Sequence, residues 1–228
     1  MHNNIKHIFF DLDHTLWDFD KNSGLTFGKI FDIHKVNVEL DVFLNSYEPI
    51  NFKYWKLYRE EKVTKSELRY GRLKDAFDEI RVDVSDELIH HLSEDYINYL
   101  TTFNHVFEHT HHVLEYLQDS YELHIITNGF EEAQEKKLKA SNLRQYFKTV
   151  TNSEMVGVKK PNPRIFNFAL EMANAKPEHS LMIGDNIEAD VQGAINIGMQ
   201  SVYFDYSNSN NQENYKRITN LIELKDFL

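Results

Sequence analysis

The chain has 228 residues with 36 acidic and 25 basic side chains, and a net charge of −11 argues against a general nucleic-acid binder, whose surface must be basic to meet phosphate backbones. It has no cysteine, which excludes disulfides, thiolate catalysis and zinc–thiolate sites together. No stretch approaches the roughly 20 apolar residues of a membrane span, and the short apolar run near the start makes no signal peptide, so a soluble cytoplasmic protein is expected.

The first predicted element is a strand. Ile8, Phe9 and Phe10 run without polar alternation, as in a strand buried on both faces of a parallel sheet, and the run passes straight into Asp11, Asp13 and Thr15. Residues two apart on a strand share a face, which aims the two carboxylates into one volume. At roughly 4 Å, like charges repel by about 4 kcal/mol at an effective dielectric near 20, so a cation, a proton or both must offset them. A solvated turn is the alternative. From Asp20 to about Phe103 the pattern becomes helical, with apolar residues at three- and four-residue spacing over 23–35, 39–61, 64–79 and 85–102. Strands and helices then alternate: strand 122–126, helix 131–140, strand 148–151, helix 163–174, strand 180–183, helix 188–196 and strand 201–204. Residues 207–214, rich in Ser and Asn, read as a flexible loop. The alternation predicts an α/β fold, a Rossmann-like parallel sheet flanked by helices. The helical block is expected as an inserted bundle, residues 18–103, in a discontinuous core of residues 1–17 and 104–228.

Three further strand exits carry polar residues. Thr127-Asn128-Gly129 offers side-chain and main-chain donors to an oxyanion, although Asn-Gly is also a common turn. In Lys159-Lys160-Pro161, Lys160 beside the proline is the better candidate to reach a site, against two solvated loop lysines. Gly184-Asp185 ends another apolar run, with Asn186 next and Asp190 at the start of a helix. Asp190 could simply favour that helix N-terminus, whereas Asp185, behind a close-approach glycine, has no such easy explanation. Asp11, Asp13 and Asp185 opposed by Lys160 form a set of hard oxygen ligands suited to Mg²⁺ and a substrate phosphate.

Asp11-x-Asp13-x-Thr15, Thr127-Asn128, Lys160-Pro161 and Gly184-Asp185-x4-Asp190 resemble the four ordered motifs of the haloacid dehalogenase (HAD) superfamily, and the helical block resembles that family's α-helical C1 cap. Residues 126–130, 154–157 and 160–166 further resemble the pyrimidine 5′-nucleotidase branch of the YjjG/YfnB type. The resemblance implies that Asp11 is the nucleophile, forming an aspartyl-phosphate, and that Asp13 protonates the leaving group and then activates water. At a free pKa of about 3.9 an Asp is almost wholly ionised at pH 7, so this role requires the site to favour the protonated form of Asp13. It also implies that Thr127, Asn128 and Lys160 meet the phosphoryl group and that Thr15 steadies the loop. Asp11, Asp185 and the main-chain carbonyl of Asp13 would ligate Mg²⁺; Asp190 would hold Lys160 or a bound water, and Asn186 would touch the phosphate or cap the next helix.

The expected partner is a small phosphate monoester, with no nucleic acid and no membrane. A haloacid dehalogenase proper is disfavoured, because halide leaves unprotonated and gives Asp13 nothing to do. Sugar-phosphate phosphatase, phosphohexomutase and a phosphoacceptor switch remain as alternatives, as does a binding module that keeps the motifs without activity. The run His109-Thr-His111-His112 reads as a solvated helix start rather than a metal site, and Tyr54, Trp55 and Tyr58 as helix core. Trp17 and Phe19 are candidates for lid or substrate contact.

Overall fold

Among the described residues the chain forms a six-stranded sheet, all parallel. The computed structural model describes residues 4–209 and 215–228; of the expected 207–214 loop, residues 210–214 lie outside the described residues. The strands are β1 (His7–Phe10), β2 (Glu122–Thr127), β3 (Phe147–Asn152), β4 (Ser180–Gly184), β5 (Gln200–Phe204) and β6 (Arg217–Ile218). From β1 the chain builds outward through β2 to β3, then returns to place β4 on the other side of β1. The strand order therefore reverses between β1 and β4, and the exits of those strands are where an open α/β sheet binds its ligands. Phe10 pairs with Ile183, and the Asp11 N–H donates to the Ile183 carbonyl at 2.9 Å, so Asp11 and Gly184 leave the sheet side by side.

The chain forms two compact units, one of residues up to 19 with 104–228 and one of Asp20–Phe103. In the first, Phe9, Ile126 and Met182 pack with Ile165, Phe166, Ala169 and Leu170 of one helix. That helix, Pro163–Met172, starts where Asn162 accepts from the Arg164 N–H and a proline fills the first turn, where its missing donor costs nothing. In the second unit, helices α1 (Phe19–His34), α2 (Leu40–Arg59), α3 (Lys65–Glu79) and α4 (Asp86–Leu100) enclose an aromatic core of Phe27, Phe31, Phe43, Tyr47, Phe77 and Tyr96. Thr64 and Glu67 form a capping box at α3, and Ser85 caps α4. Arg72, buried in that core, donates to Asn51 at 2.9 Å and lies 4.8 Å over the Tyr96 ring. Tyr58 is buried, while Tyr54 and Trp55 are half-buried, so only part of the expected core stripe is core. Among the described residues, no helix is long and apolar enough to cross a membrane.

A buried histidine in β2 ties stability to pH. Burial pushes the His124 imidazole down to about 4. An unfolded histidine takes up its proton near pH 6.5, so between pH 6.5 and 4 the unfolded chain binds more protons and stability falls as pH falls. The loss from His124 is about 3 kcal/mol across that window, at about 1.4 kcal/mol per unit. Melting temperatures in chelator-treated buffer at pH 7 and pH 4.5 are expected to differ less for His124→Gln than for wild type; equal drops would refute the assignment.

Candidate active site

The strand stops at Phe10, and the next residues turn rather than extend. His14 takes a left-handed conformation with φ 61°, and the Leu12 carbonyl accepts from both Leu16 N–H (3.0 Å) and Trp17 N–H (2.9 Å). Asp11 and Asp13 both lie just beyond β1, and Asp13 is near enough for its charge to raise Asp11. Their side chains go to different partners.

Asp11 faces a lysine. Lys160 Nζ donates to Asp11 Oδ1 and to the Ile126 carbonyl, each at 2.7 Å, and lies 2.6 Å from Asp190 Oδ1. Its side chain is 2% exposed. Burial alone would lower this ammonium, but the Asp11 and Asp190 carboxylates outweigh it and hold the group above its ordinary range. Asn128 sets the lysine's main chain: its amide donates to the Lys160 carbonyl (3.0 Å) and its oxygen accepts from the Lys160 N–H (2.7 Å). The side chain expected on the phosphoryl oxygens is thus spent on positioning Lys160. Thr127 is buried and its hydroxyl oxygen accepts from the Gly129 N–H at 3.0 Å.

On the β4 side, Thr15 donates to Asp185 Oδ1 at 3.2 Å, joining the first acidic loop to the last. Asp190 Oδ2 accepts from the Asn186 N–H at 3.0 Å, and Asn186 Oδ1 accepts from the Ala189 N–H as a helix cap. A side chain on Gly184 would place its Cβ 2.3 Å from Asp190 Oδ2, so only glycine lets that carboxylate approach the strand exit. One oxygen each of Asp11, Asp185 and Asp190 can be found within 4.8 Å of the others. Three carboxylates share one ammonium. Burial, opposed by Lys160 but reinforced by Asp190 and Asp13, raises Asp11 to about 7; burial together with Asp11 and Asp190 holds Asp185 well above the usual carboxylate range. Such a surplus of buried negative charge and hard oxygen donors fits a divalent cation of the Mg²⁺ type.

Asp13 stands outside that trio. Lys137 Nζ lies 2.5 Å from Asp13 Oδ1, and Gln134 Nε2 donates to Asp13 Oδ2 at 2.9 Å. Both donors come from the helix Glu131–Ala140, and both are buried. Lys137 also lies 4.3 Å over the Trp17 ring and 5.4 Å from that of Phe19, which gives these aromatics a role as a wall for the lysine. A Cβ on Gly129 would fall 1.4 Å from Gln134 Nε2, so the glycine of Thr-Asn-Gly makes room for this contact. The sequence reading missed Gln134 and Lys137. The signal was present: Ala133, Gln134, Lys137 and Leu138 form one helical face, and two of its four members are polar.

The model of haloacid dehalogenase-like hydrolases matches residues 5–198. The chain belongs to this family. Pyrimidine 5′-nucleotidase YjjG of Escherichia coli is 33% identical over 86% of the chain and 84% of that protein. Glyceraldehyde 3-phosphate phosphatase of Methanothermobacter thermautotrophicus is 32% identical over 87% and 84%. Among solved structures, that of YfnB from Bacillus subtilis bound to magnesium superposes with a TM-score of 0.87 at 27% identity, covering 98% of each chain. The protein is therefore a hydrolase of this family, with phosphatases among its relatives.

Proposed function

We propose that the chain is a Mg²⁺-dependent phosphomonoester hydrolase that works through an aspartyl-phosphate on Asp11, with pyrimidine nucleoside monophosphates as substrates. The observation that supports this most is the separate tethering of two aspartates two residues apart, Asp11 by Lys160 and Asp13 by Lys137 and Gln134. A nucleophile and an acid–base group need such separation, because one must stay charged while the other cycles a proton.

In this reading an Asp11 carboxylate oxygen attacks phosphorus in line, the bond to the ester oxygen breaks, and the phosphoryl group passes to Asp11. Asp13 gives its proton to the departing alkoxide. As a carboxylate it then takes a proton from the water that cleaves the acyl phosphate. Gln134 and Lys137 hold Asp13 in this second, charged half of the cycle. Lys160 and the Thr127 hydroxyl balance charge developing on the phosphoryl oxygens. Asp11 and Asp185, with the main-chain carbonyl of Asp13, would hold Mg²⁺, which supplies charge neutralisation to the phosphate and keeps Asp11 ionised. The helical unit of Asp20–Phe103, inserted between β1 and β2 in the chain, is assigned as the cap that selects the leaving group.

The nucleotidase assignment is supported by YjjG and by the wording of residues 126–130, 154–157 and 160–166. The second reading, a phosphatase of small sugar phosphates, is favoured by the glyceraldehyde 3-phosphate phosphatase relative. Steady-state kinetics on UMP, CMP, dTMP, AMP, glyceraldehyde 3-phosphate and hexose phosphates decides between them. The highest kcat/KM is expected for a pyrimidine monophosphate; a higher value for any sugar phosphate would overturn the nucleotidase assignment.

Lys137 acts here as a positioning residue. Lys137→Met is expected to lower kcat about tenfold or more while KM stays within twofold, because Asp13 loses its anchor and the phosphate site does not. A rise in KM at unchanged kcat would place Lys137 in substrate binding instead.

A further inference from the structure

A second cluster of metal-ligating groups lies at the opposite end of β1 from Asp11. His7 opens β1, and Glu122 and His124 stand on the same face of the neighbouring strand β2, where His7 pairs with Glu122. His7 Nδ1 is 3.2 Å from His124 Nε2 and 3.7 Å from Glu122 Oε2, and a donor atom from each of the three residues lies within 4.8 Å of the others. Four residues of strand, about 13 Å at the usual rise, separate this cluster from Asp11. We propose that His7, Glu122 and His124 form a second cation site, for Zn²⁺ or a similar nitrogen-preferring divalent metal.

The spacing matches the chemistry. Two nitrogens bound at about 2.05 Å on a tetrahedral metal sit about 3.3 Å apart, close to the separation already held by the two imidazoles. Glu122 is exposed at the start of β2, so its carboxylate has the freedom to close the remaining few tenths of an ångström. His124 is fully buried, stacked at 4.6 Å on Phe9, with Nδ1 2.9 Å from the Thr149 hydroxyl; that contact turns Nε2 toward His7, as an outer hydrogen bond orients a metal-ligating histidine. With His124 Nδ1–H given to the Thr149 hydroxyl, the Nε2 lone pair is left for a metal, which takes the place of the proton held in the His7–His124 contact. Two imidazoles and one carboxylate suit zinc, cobalt or nickel, whereas the all-oxygen trio at Asp11 suits magnesium. With three protein ligands, a fourth position would be left to water. A metal here clips the strand that carries Asp11 to its neighbour, so binding raises stability by mass action. The site is distinct from the His109–His112 run, whose His109 precedes helix Thr110–Gln118 in a left-handed conformation and whose His112 lies 3.2 Å from Lys225.

The test uses the chelator-stripped full chain in excess Mg²⁺, added to fill the proposed magnesium site at Asp11 and Asp185. Calorimetric titration with Zn²⁺ alone is expected to show one tight site, weakened at least tenfold in His7→Gln and in the surface variant Glu122→Gln, and unchanged in Asp185→Asn. Co²⁺ is expected to give the intense visible absorption of a tetrahedral site in wild type but not in His7→Gln. Zn²⁺ should raise the melting temperature of wild type and of Asp185→Asn, but not of His7→Gln or Glu122→Gln. No tight binding, binding equal in wild type and both cluster variants, or binding lost only in Asp185→Asn would each overturn the proposal. Glu122→Gln keeps the test valid even where a change at buried His124 disturbs folding.

Discussion

Asp11→Asn is expected to abolish hydrolysis of p-nitrophenyl phosphate, with kcat reduced by at least about 10⁴, while the chain stays folded. The size follows from the role: an amide cannot carry the phosphoryl group, and removing a covalent nucleophile costs far more than removing a group that only binds. The persistence of the fold follows from the charges. Asn keeps an oxygen to accept from Lys160 Nζ, and the substitution removes one of three crowded carboxylates. Asp11 is raised to about 7, so the metal-free folded state loses stability as pH rises from the ordinary carboxylate value of about 3.9 to about 7, and at pH 8 the loss is complete. In chelator-treated buffer at pH 8 the variant should therefore melt at or above wild type. Turnover within tenfold of wild type would eliminate Asp11 as nucleophile and with it the proposed mechanism. A parallel measurement on Asp13→Asn separates the two aspartates: that variant should still accept Mg²⁺, because its main-chain carbonyl remains.

The parallel sheet was legible because buried strands announce themselves. Ile8-Phe9-Phe10, Ile125-Ile126 and Leu181-Met182-Ile183 have no polar alternation, and each runs into residues that a buried strand end does not otherwise need. Gly184 was legible too, since a glycine before a site aspartate suggests a close approach, and the neighbour proves to be Asp190. The two-residue strand β6 left no periodic signal, and the helix Thr110–Gln118 was visible only as a start, its apolar face Val113, Leu114 and Leu117 being short. The helix expected over 188–196 opens instead as a π turn over Ile187–Gln192, with Asp190 and Val191 N–H groups both directed at the Asn186 carbonyl. A one-residue widening does not change hydrophobic spacing enough to be read from sequence.

Pairings across the chain were the least legible part of the site. Lys137 sits in a helix rich in Glu and Lys that looks solvated, and its bond to Asp13 spans 124 residues. His7 and His124 are 117 residues apart and meet only because β1 and β2 are neighbours. Side-chain identity told which chemistry was available. Topology decided which groups share it: Asn128 went to the Lys160 main chain, and Thr15 to Asp185.

Lys160→Met should cost more stability than any other single change at the site. The Lys160 ammonium is buried between Asp11 and Asp190, and Asp185 lies close enough to both for their charges to raise it. Removing one partner of a buried ion pair typically costs about 3–5 kcal/mol, because the remaining charge stays desolvated and unpaired. For a chain of this size that is a fall of roughly 10 °C in melting temperature, read in chelator-treated buffer at pH 7.5. Activity should fall about 10²–10³-fold in kcat, as for loss of a fixed charge at a developing anion. Mg²⁺ supplies a second source of positive charge to the same three carboxylates. It should therefore stabilise Lys160→Met by more degrees than it stabilises wild type. Lys160→Arg is not expected to rescue either property: Nζ contacts Asp11 Oδ1, the Ile126 carbonyl and Asp190 Oδ1 from one point, a geometry that suits an ammonium and not a planar guanidinium. A melting temperature for Lys160→Met within about 2 °C of wild type in chelator would show that the carboxylates are not held by this lysine, and full activity in Lys160→Arg would show that any cation there suffices.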